Sequence, residues 1–460
     1  MILLVFTLCP GGAARAATTS HSSCQIQPAA FEGWQAQALS NEWVRLTFVP
    51  KLGGRLMQVT FGNHEYLFVN PKYKGRYFSP SDAATTNRWI NYGGDKLWPL
   101  PEGRDDDQHW PGPISDALDD GEYIFSVVEH GQTCKVRLEG PADPRTGLQY
   151  TRDISISGNS PEIRFHAVMK NASQQPIRWS IQSVTQYDTA DRHDPARYNR
   201  EFWAVAPVNS HSAYIDGYKV RAGLADDPSF EVKDGLFRLH WLYLENEVWL
   251  DSNAGWIAVV DDTSHFGMIE RFHYVTDIEY PGKASVIFYK NGAALQLNAE
   301  GMPTMRSAYP EQTPFYMEAE INSPMIALAP GESYGLDTQW FPTRVSKEIN
   351  KVTDSGVVER PLNASLENGC IRLTAGFAVF FPGKLVARIL DARGLQLGQV
   401  ELRNVDPLIP VELNESITAP STVDRVEIHL ISEQNEDIGE LDNTKINLAV
   451  ENKTTNGFKK

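Results

Sequence analysis

The stretch Trp43-Val44-Arg45-Leu46-Thr47-Phe48-Val49, closed by Pro50 and the pair Gly53-Gly54, decides the fold class. Val44, Leu46 and Phe48 alternate with Arg45, Thr47 and Val49, so a strand built from them has one apolar face, and Pro and Gly then break the run. Short runs of the same kind recur at Tyr123–Val128, Cys134–Leu138, Ile154–Ile156, Glu162–Val168, Trp179–Thr185, Trp256–Val260, Ser285–Tyr289 and Phe315–Ile321. Turn residues separate them, as in Lys170-Asn171-Ala172-Ser173 and Lys290-Asn291-Gly292. There is no long helical periodicity and no strand-helix rhythm. The expectation is therefore an all-β chain whose main body is a large antiparallel sandwich over residues 25–345.

The 460 residues carry 42 Lys+Arg against 58 Asp+Glu, a net charge of −16. That balance leaves no basic stripe for a phosphate backbone and disfavours an anionic membrane surface, so neither nucleic acid nor a lipid bilayer is an expected partner. All 11 Trp fall at or before Trp340. This composition step marks a boundary. The polar stretch 346–360 reads as a linker, and residues 361–450 hold short strands (Cys370–Thr374, Phe377–Phe381, Leu385–Leu390, Val400–Leu402, Ile409–Leu413 and Arg425–Leu430) suited to a small immunoglobulin-like β-sandwich.

Residues 1–16 combine a short apolar run with Ala14-Arg15-Ala16, the small-x-small pattern of a cleaved secretion signal, which implies a periplasmic or secreted protein without membrane insertion. Past this segment remain Cys24, Cys134 and Cys370, far apart and without metal-type spacing; an exported chain can form one disulfide among them.

Three segments could carry chemistry. Leu52-Gly53-Gly54-Arg55 places a cation after a tight turn, although a plain hairpin with a surface Arg reads the same way. Arg88-Trp89-Ile90-Asn91-Tyr92-Gly93-Gly94-Asp95-Lys96-Leu97-Trp98-Pro99 crowds aromatic and planar polar groups into a Gly-rich stretch. Sugar recognition needs that mixture: rings for the C–H face and polar groups for the hydroxyls. The nearby Asp105-Asp106-Asp107 run offers hard oxygens of the kind that ligate Ca²⁺, while a solvated loop is its plainer reading; no other cofactor is expected. In Met317-Glu318-Ala319-Glu320, two carboxylates two residues apart share one face of a strand, where they need solvent, a cation or a cleft.

At these residues the chain resembles the galactose mutarotase-like superfamily, which includes the aldose 1-epimerases. The resemblance spans about residues 38–342. Within the superfamily it is similar to a secreted bacterial branch carrying Leu-Gly-Gly-Arg and Tyr-Gly-Gly-Asp-Lys-x-Trp-Pro. Met317-Glu318-Ala319-Glu320 and the later Pro330-Gly331-Glu332-Ser333-Tyr334 match the order and spacing of the family's Leu-Glu-Thr-Gln strand and Pro-Gly-Glu-x-Tyr turn. The resemblance implies a galactose mutarotase-like β-supersandwich and makes Glu318 the counterpart of the family's general base. Two departures stand beside it. Tyr92-Gly93-Gly94 replaces a His-Gly-Gly loop, and Ser180–Asp188 lacks the family's acid histidine.

The functional expectation is a secreted carbohydrate-active protein that binds a mono- or oligosaccharide and acts on it by Glu-based acid/base chemistry of epimerase, glycosidase or lyase type. Glu318 would be the base, with Lys96 or Tyr92 as acid or electrophile. Arg55, Asn91, Asp95, Trp98, Gln186, His193 and Glu320 would bind the substrate. The alternative is a non-catalytic carbohydrate-binding module of a polysaccharide-uptake system.

Overall fold

The computed structural model describes residues 23–448 apart from 80–88, 104–107, 114–116, 294, 298–302, 306–314, 368 and 421. The segment read as a secretion signal and the Asp105–Asp107 run lie outside the described residues. Contacts divide the chain into two units, one ending at Lys347 and the other beginning at Glu348.

The all-β expectation holds. The first unit is built on a twelve-stranded and a ten-stranded antiparallel sheet. The middle of the larger sheet runs in the order Arg55–Phe61, Asp95–Leu100, Ile177–Asp188, Tyr316–Asn322, Val286–Lys290, Asn246–Leu250 and Lys219–Gly223. Strands far apart in sequence thus lie side by side, and the Ile177–Asp188 strand sits between Asp95–Leu100 and Tyr316–Asn322. Val44–Val49 pairs with Arg55–Phe61, and the connection predicted as a turn is one: Gly53 and Gly54 have φ of 62° and 64°. A Cβ on Gly53 would lie 1.9 Å from the Asp119 carbonyl oxygen, so glycine is required there by both conformation and space.

Alternation gives each strand of the larger sheet two different faces. One face packs on the ten-stranded sheet through buried residues such as Phe61, Leu97 and Ile181, and Phe61 meets Phe266 of that sheet edge-on. The layer also holds polar groups. Thr185 Oγ1 donates to Asp95 Oδ2 at 2.9 Å, Arg152 forms an ion pair with Asp95, and Tyr187 Oη donates to Glu270 Oε1 at 2.5 Å. Burial pushes the Glu270 carboxyl up to about 8, against an ordinary value of 4.5. The proton is held in the folded state only. Its stabilising effect is therefore complete below pH ~4.5 and is lost as pH rises towards the folded value near 8. Glu270→Gln keeps an acceptor for Tyr187 and removes the titration. Its urea midpoint is expected to match wild type at pH 5 and exceed it at pH 9; equal midpoints at both values would show that Glu270 is ionised in the fold.

Cys24 and Cys134 form a disulfide between the residue preceding the Gln25–Phe31 strand of the larger sheet and the Thr133–Ala142 strand of the smaller. Cys370 lies outside the bridge. A cross-link closing so long a loop restricts the unfolded chain, so Cys134→Ser is expected to lower stability by about 2–4 kcal/mol. The check is the urea midpoint of the variant beside oxidised wild type. A midpoint unchanged by the substitution would mean that the bridge does not form.

The second unit packs a five-stranded sheet on a four-stranded one around Leu373, Phe377, Leu385, Ile389, Leu413, Val426 and Leu430. Its register corrects two expectations. Cys370–Thr374 and Phe377–Phe381 are not separate strands, because Cys370–Val379 runs unbroken along Gly356–Glu367. Gly356–Glu367 itself starts inside the stretch read as a linker, where Lys351–Val352 is also paired. The Ala375-Gly376 pair reads as a break within the first strand, and the polar residues on both sides of Gly356-Val357-Val358 hide the start of the second.

Candidate functional site

The other face of the larger sheet collects the chemistry. Glu318 and Glu320 on Tyr316–Asn322 share this face, as their spacing requires, and register extends it across five strands. Glu247, Tyr289, Glu318 and Gln186 lie opposite one another in one row. Trp249, Ile287, Glu320, Val184 and Lys96 form the next, and Asn322, Gln182 and Trp98 the third. Rows of this kind bring side chains within about 4.5–5.5 Å across each strand pair.

Lys96 Nζ stands 3.6 Å from Glu318 Oε1, and their side chains are only 1% and 8% exposed. The ammonium lies over the Trp98 ring, 4.5 Å from its centroid, and 5.6 Å from that of Trp89. Burial drives the Lys96 ammonium below its ordinary value and the Arg55 charge adds to this, while Glu318 opposes it. Gln186 Nε2 donates to Glu318 Oε1 at 2.6 Å, and Gln182 Nε2 donates to Glu320 Oε2. Each amide is thereby oriented with its oxygen away from the carboxylate. Gln182 Oε1, Gln186 Oε1 and Lys96 Nζ have no hydrogen-bond partner among the described residues, although all three are buried.

Three further carboxyl groups surround this ion pair. Glu320 is raised well above the ordinary range, by burial first and then by Glu318, Glu247 and Glu102. Glu102, still solvent-accessible, is pushed up to about 7 by desolvation and by Glu247 and Glu318. Glu247 is raised by burial, with Glu318 adding to this, while the Trp249 Nε1–H that donates to its Oε1 and Arg221, exposed beside Trp249, oppose the rise.

Asp119, on the short helix Ala117–Asp120, fixes the aromatic floor. Trp98 Nε1 donates to its Oδ1 at 2.8 Å and Trp89 Nε1 to its Oδ2 at 3.0 Å. Arg55 completes the clasp: Nη2 meets Asp119 Oδ1 at 2.8 Å, Nη1 donates to the Asp119 and Leu52 carbonyls, and Nε donates to the Gly93 carbonyl at 3.1 Å. The glycine-rich motifs thus join at one buried guanidinium. Gly93 also needs its conformation (φ 96°), because a Cβ there would lie 2.1 Å from the Phe68 carbonyl oxygen.

Of the residues singled out in the sequence, Glu318, Lys96, Trp98, Gln186 and Glu320 come together. Four others do not, and each has a physical reason. Arg55 is fully buried and its donors are already taken by Asp119 and backbone oxygens, so it frames the face rather than lining it. Tyr92 packs with Trp34 and Tyr73 in a small apolar cluster, where its hydroxyl accepts from the Phe78 N–H at 2.9 Å and burial pushes the phenol up, away from any role as an acid. Asp95, adjacent to Lys96 on a strand, points to the opposite face and belongs to the inter-sheet layer. His193 sits on an exposed loop, its backbone N–H bonded to Asp191 Oδ1. Asn91 is buried, and its side-chain oxygen accepts from the Gly93 N–H at 3.1 Å, within the glycine turn.

Glu247, Glu102, Tyr289, Gln182 and Asp119 enter the arrangement without having been singled out. For Glu247 and Tyr289 the signal is alternation with Trp249 and Ile287. For Asp119 there is none, since its role comes from long-range contacts with Arg55, Trp89 and Trp98. Among the described residues one group, Glu427, His429 and Glu440 of the second unit, brings three metal-type donors within 4.8 Å of one another. Arg425 pairs with Glu427 at 2.9 Å and Arg388 Nη1 lies 3.4 Å from His429 Nε2, so guanidinium groups already supply the cations. No helix among the described residues is long and apolar enough to cross a membrane.

No family model and no curated protein matches the chain. Among solved structures it is similar to a TPR-domain containing protein from Parabacteroides distasonis, with 14% identity and a TM-score of 0.45, over 70% of this chain and 49% of that one. The chain thus spans about half the length of that protein. It is also similar to the Slr1438 protein from Synechocystis sp. (11% identity, TM-score 0.45, 69% of this chain and 99% of that one). A galactose mutarotase-like protein from Clostridium acetobutylicum gives 10% identity and a TM-score of 0.43 over 70% of this chain and 99% of that one. The fold class itself follows from strand order and register: two large antiparallel sheets packed face to face in the first unit, and a small β-sandwich in the second.

Proposed function

We propose that the first unit binds a mono- or oligosaccharide on the Glu318–Lys96 face and acts on it by acid/base chemistry. The observation that supports this reading is the trio of buried polar atoms without a hydrogen-bond partner among the described residues, Lys96 Nζ, Gln182 Oε1 and Gln186 Oε1, beside paired indole rings. Buried donors and acceptors are rarely left unmatched. A polyhydroxylated ring supplies both kinds of partner at once, and its C–H face suits Trp89 and Trp98. Glu318 would take a proton from a sugar hydroxyl while Lys96, whose ammonium is weakened by burial, gives one to the opposing oxygen. Epimerisation, glycoside cleavage and elimination all use this pair of roles, and the scaffold is shared by more reactions than one.

Export is part of the proposal. A disulfide between Cys24 and Cys134 persists in oxidising compartments, which fits a periplasmic or secreted chain. The non-catalytic alternative has its own support: Glu318 and Lys96 are paired with each other, and none of the five strands that form the rows carries a histidine. The experiment is a melting-temperature screen of wild type and Glu318→Gln against a panel of sugars, with product followed by NMR. Stabilisation by a sugar with product from wild type alone supports the catalytic reading. Equal stabilisation without product leaves a binding module, and no stabilisation by any sugar removes both.

A further inference from the structure

We infer that the face selects a sugar carrying a free amino group, and disfavours a uronate of the same ring stereochemistry. This deepens the saccharide reading and rests on it. The net charge of the chain left the ligand's charge unsettled, because Arg55 and Lys96 could both have met a carboxylate. The structure removes one of them: Arg55 is spent on Asp119 and backbone carbonyls, out of reach of a ligand. Lys96 is matched by Glu318 at 3.6 Å.

What remains faces the ligand with acceptors. Glu320 sits one row from Glu318 on the same strand, and Glu247 lies two strands away in the Glu318 row. Glu102 is close enough to feel both Glu247 and Glu318. The cation near Glu247, Arg221, is exposed at the edge. Gln182 and Gln186, 4% and 0% exposed, add two oxygens with no donor among the described residues. Among the described residues, three carboxyl groups and two amide oxygens therefore compete for donors, with Lys96 the buried cation in their midst. A ligand ammonium gives three N–H donors and a positive charge to this set. A ligand carboxylate adds one more acceptor and one more negative charge where repulsion between carboxyls already raises their proton affinity.

The test is titration calorimetry on the full chain with two matched series: glucosamine, glucose and glucuronate, and galactosamine, galactose and galacturonate. In at least one series the amino sugar is expected to bind 10-fold or more tighter than its neutral parent, with the uronate weakest. Glu320→Gln combined with Glu247→Gln should bring the amino-to-neutral ratio to within about 3-fold of unity, a loss of preference of at least about 3-fold, or about 0.65 kcal/mol. A uronate binding as tightly as its amino counterpart, or a ratio unmoved by the double substitution, overturns the inference and leaves the saccharide reading intact. Absence of binding across both series, and across neutral oligosaccharides used as a control, overturns that reading and the inference together.

Discussion

Arg55→Met is expected to destabilise the first unit by about 3–5 kcal/mol, the cost of leaving one partner of a buried ion pair behind. The side chain has no water to fall back on: it is fully buried, and four of its contacts go to Asp119, Leu52 and Gly93. Without it the Asp119 carboxylate keeps only the two indole donors, and the Leu52 and Gly93 carbonyls lose their side-chain donor. Asp119→Asn leaves the opposite orphan, a buried guanidinium, and should cost a similar amount. Urea unfolding followed by tryptophan fluorescence measures both, and the double variant tests the coupling, since a shared pair makes the two losses strongly non-additive. A loss below ~1 kcal/mol for either single variant would show that the clasp is not formed.

Glu318→Gln is expected to reduce turnover of the sugar substrate by about 10²–10⁴-fold, the range typical of removing a positioned general base. The amide is nearly isosteric and still accepts from Gln186, so affinity for the sugar should change little. That separation matters, because a structural role would lower binding and stability together. Lys96→Met probes the other half of the pair: it removes the proton donor and leaves Glu318 beside Glu320, Glu247 and Glu102 without their buried cation. Turnover should fall here too, with the pH at which the remaining carboxyls ionise moving upward. Full turnover in Glu318→Gln would assign the base to another group.

The sequence made some of this arrangement legible and hid the rest for identifiable reasons. Spacing alone puts Glu318 and Glu320 on one face of a strand, and so they are. The same period of two, applied to Asp95 and Lys96, sends them to opposite faces, whereas composition had grouped them as one aromatic and polar patch. Arg55 and Tyr92 carry the residue types of a binding site but are consumed by the framework, which no local pattern reveals. Asp119, Glu247 and Glu102 depend on which strands become neighbours. Strand order was beyond the motifs: Ile177–Asp188 had to be found next to both Asp95–Leu100 and Tyr316–Asn322 before the rows existed.

The peptide bond between Asp95 and Lys96 is a frontier between two jobs. The groups on the Asp95 side are answerable to the melting curve, and the rows on the Lys96 side, apart from the Arg55–Asp119 clasp that frames them, to the ligand. Half-buried positions on the ligand side, such as Tyr289 and Trp249, are therefore natural places to diversify a library for altered sugar preference, because their neighbours across the frontier hold the scaffold without them.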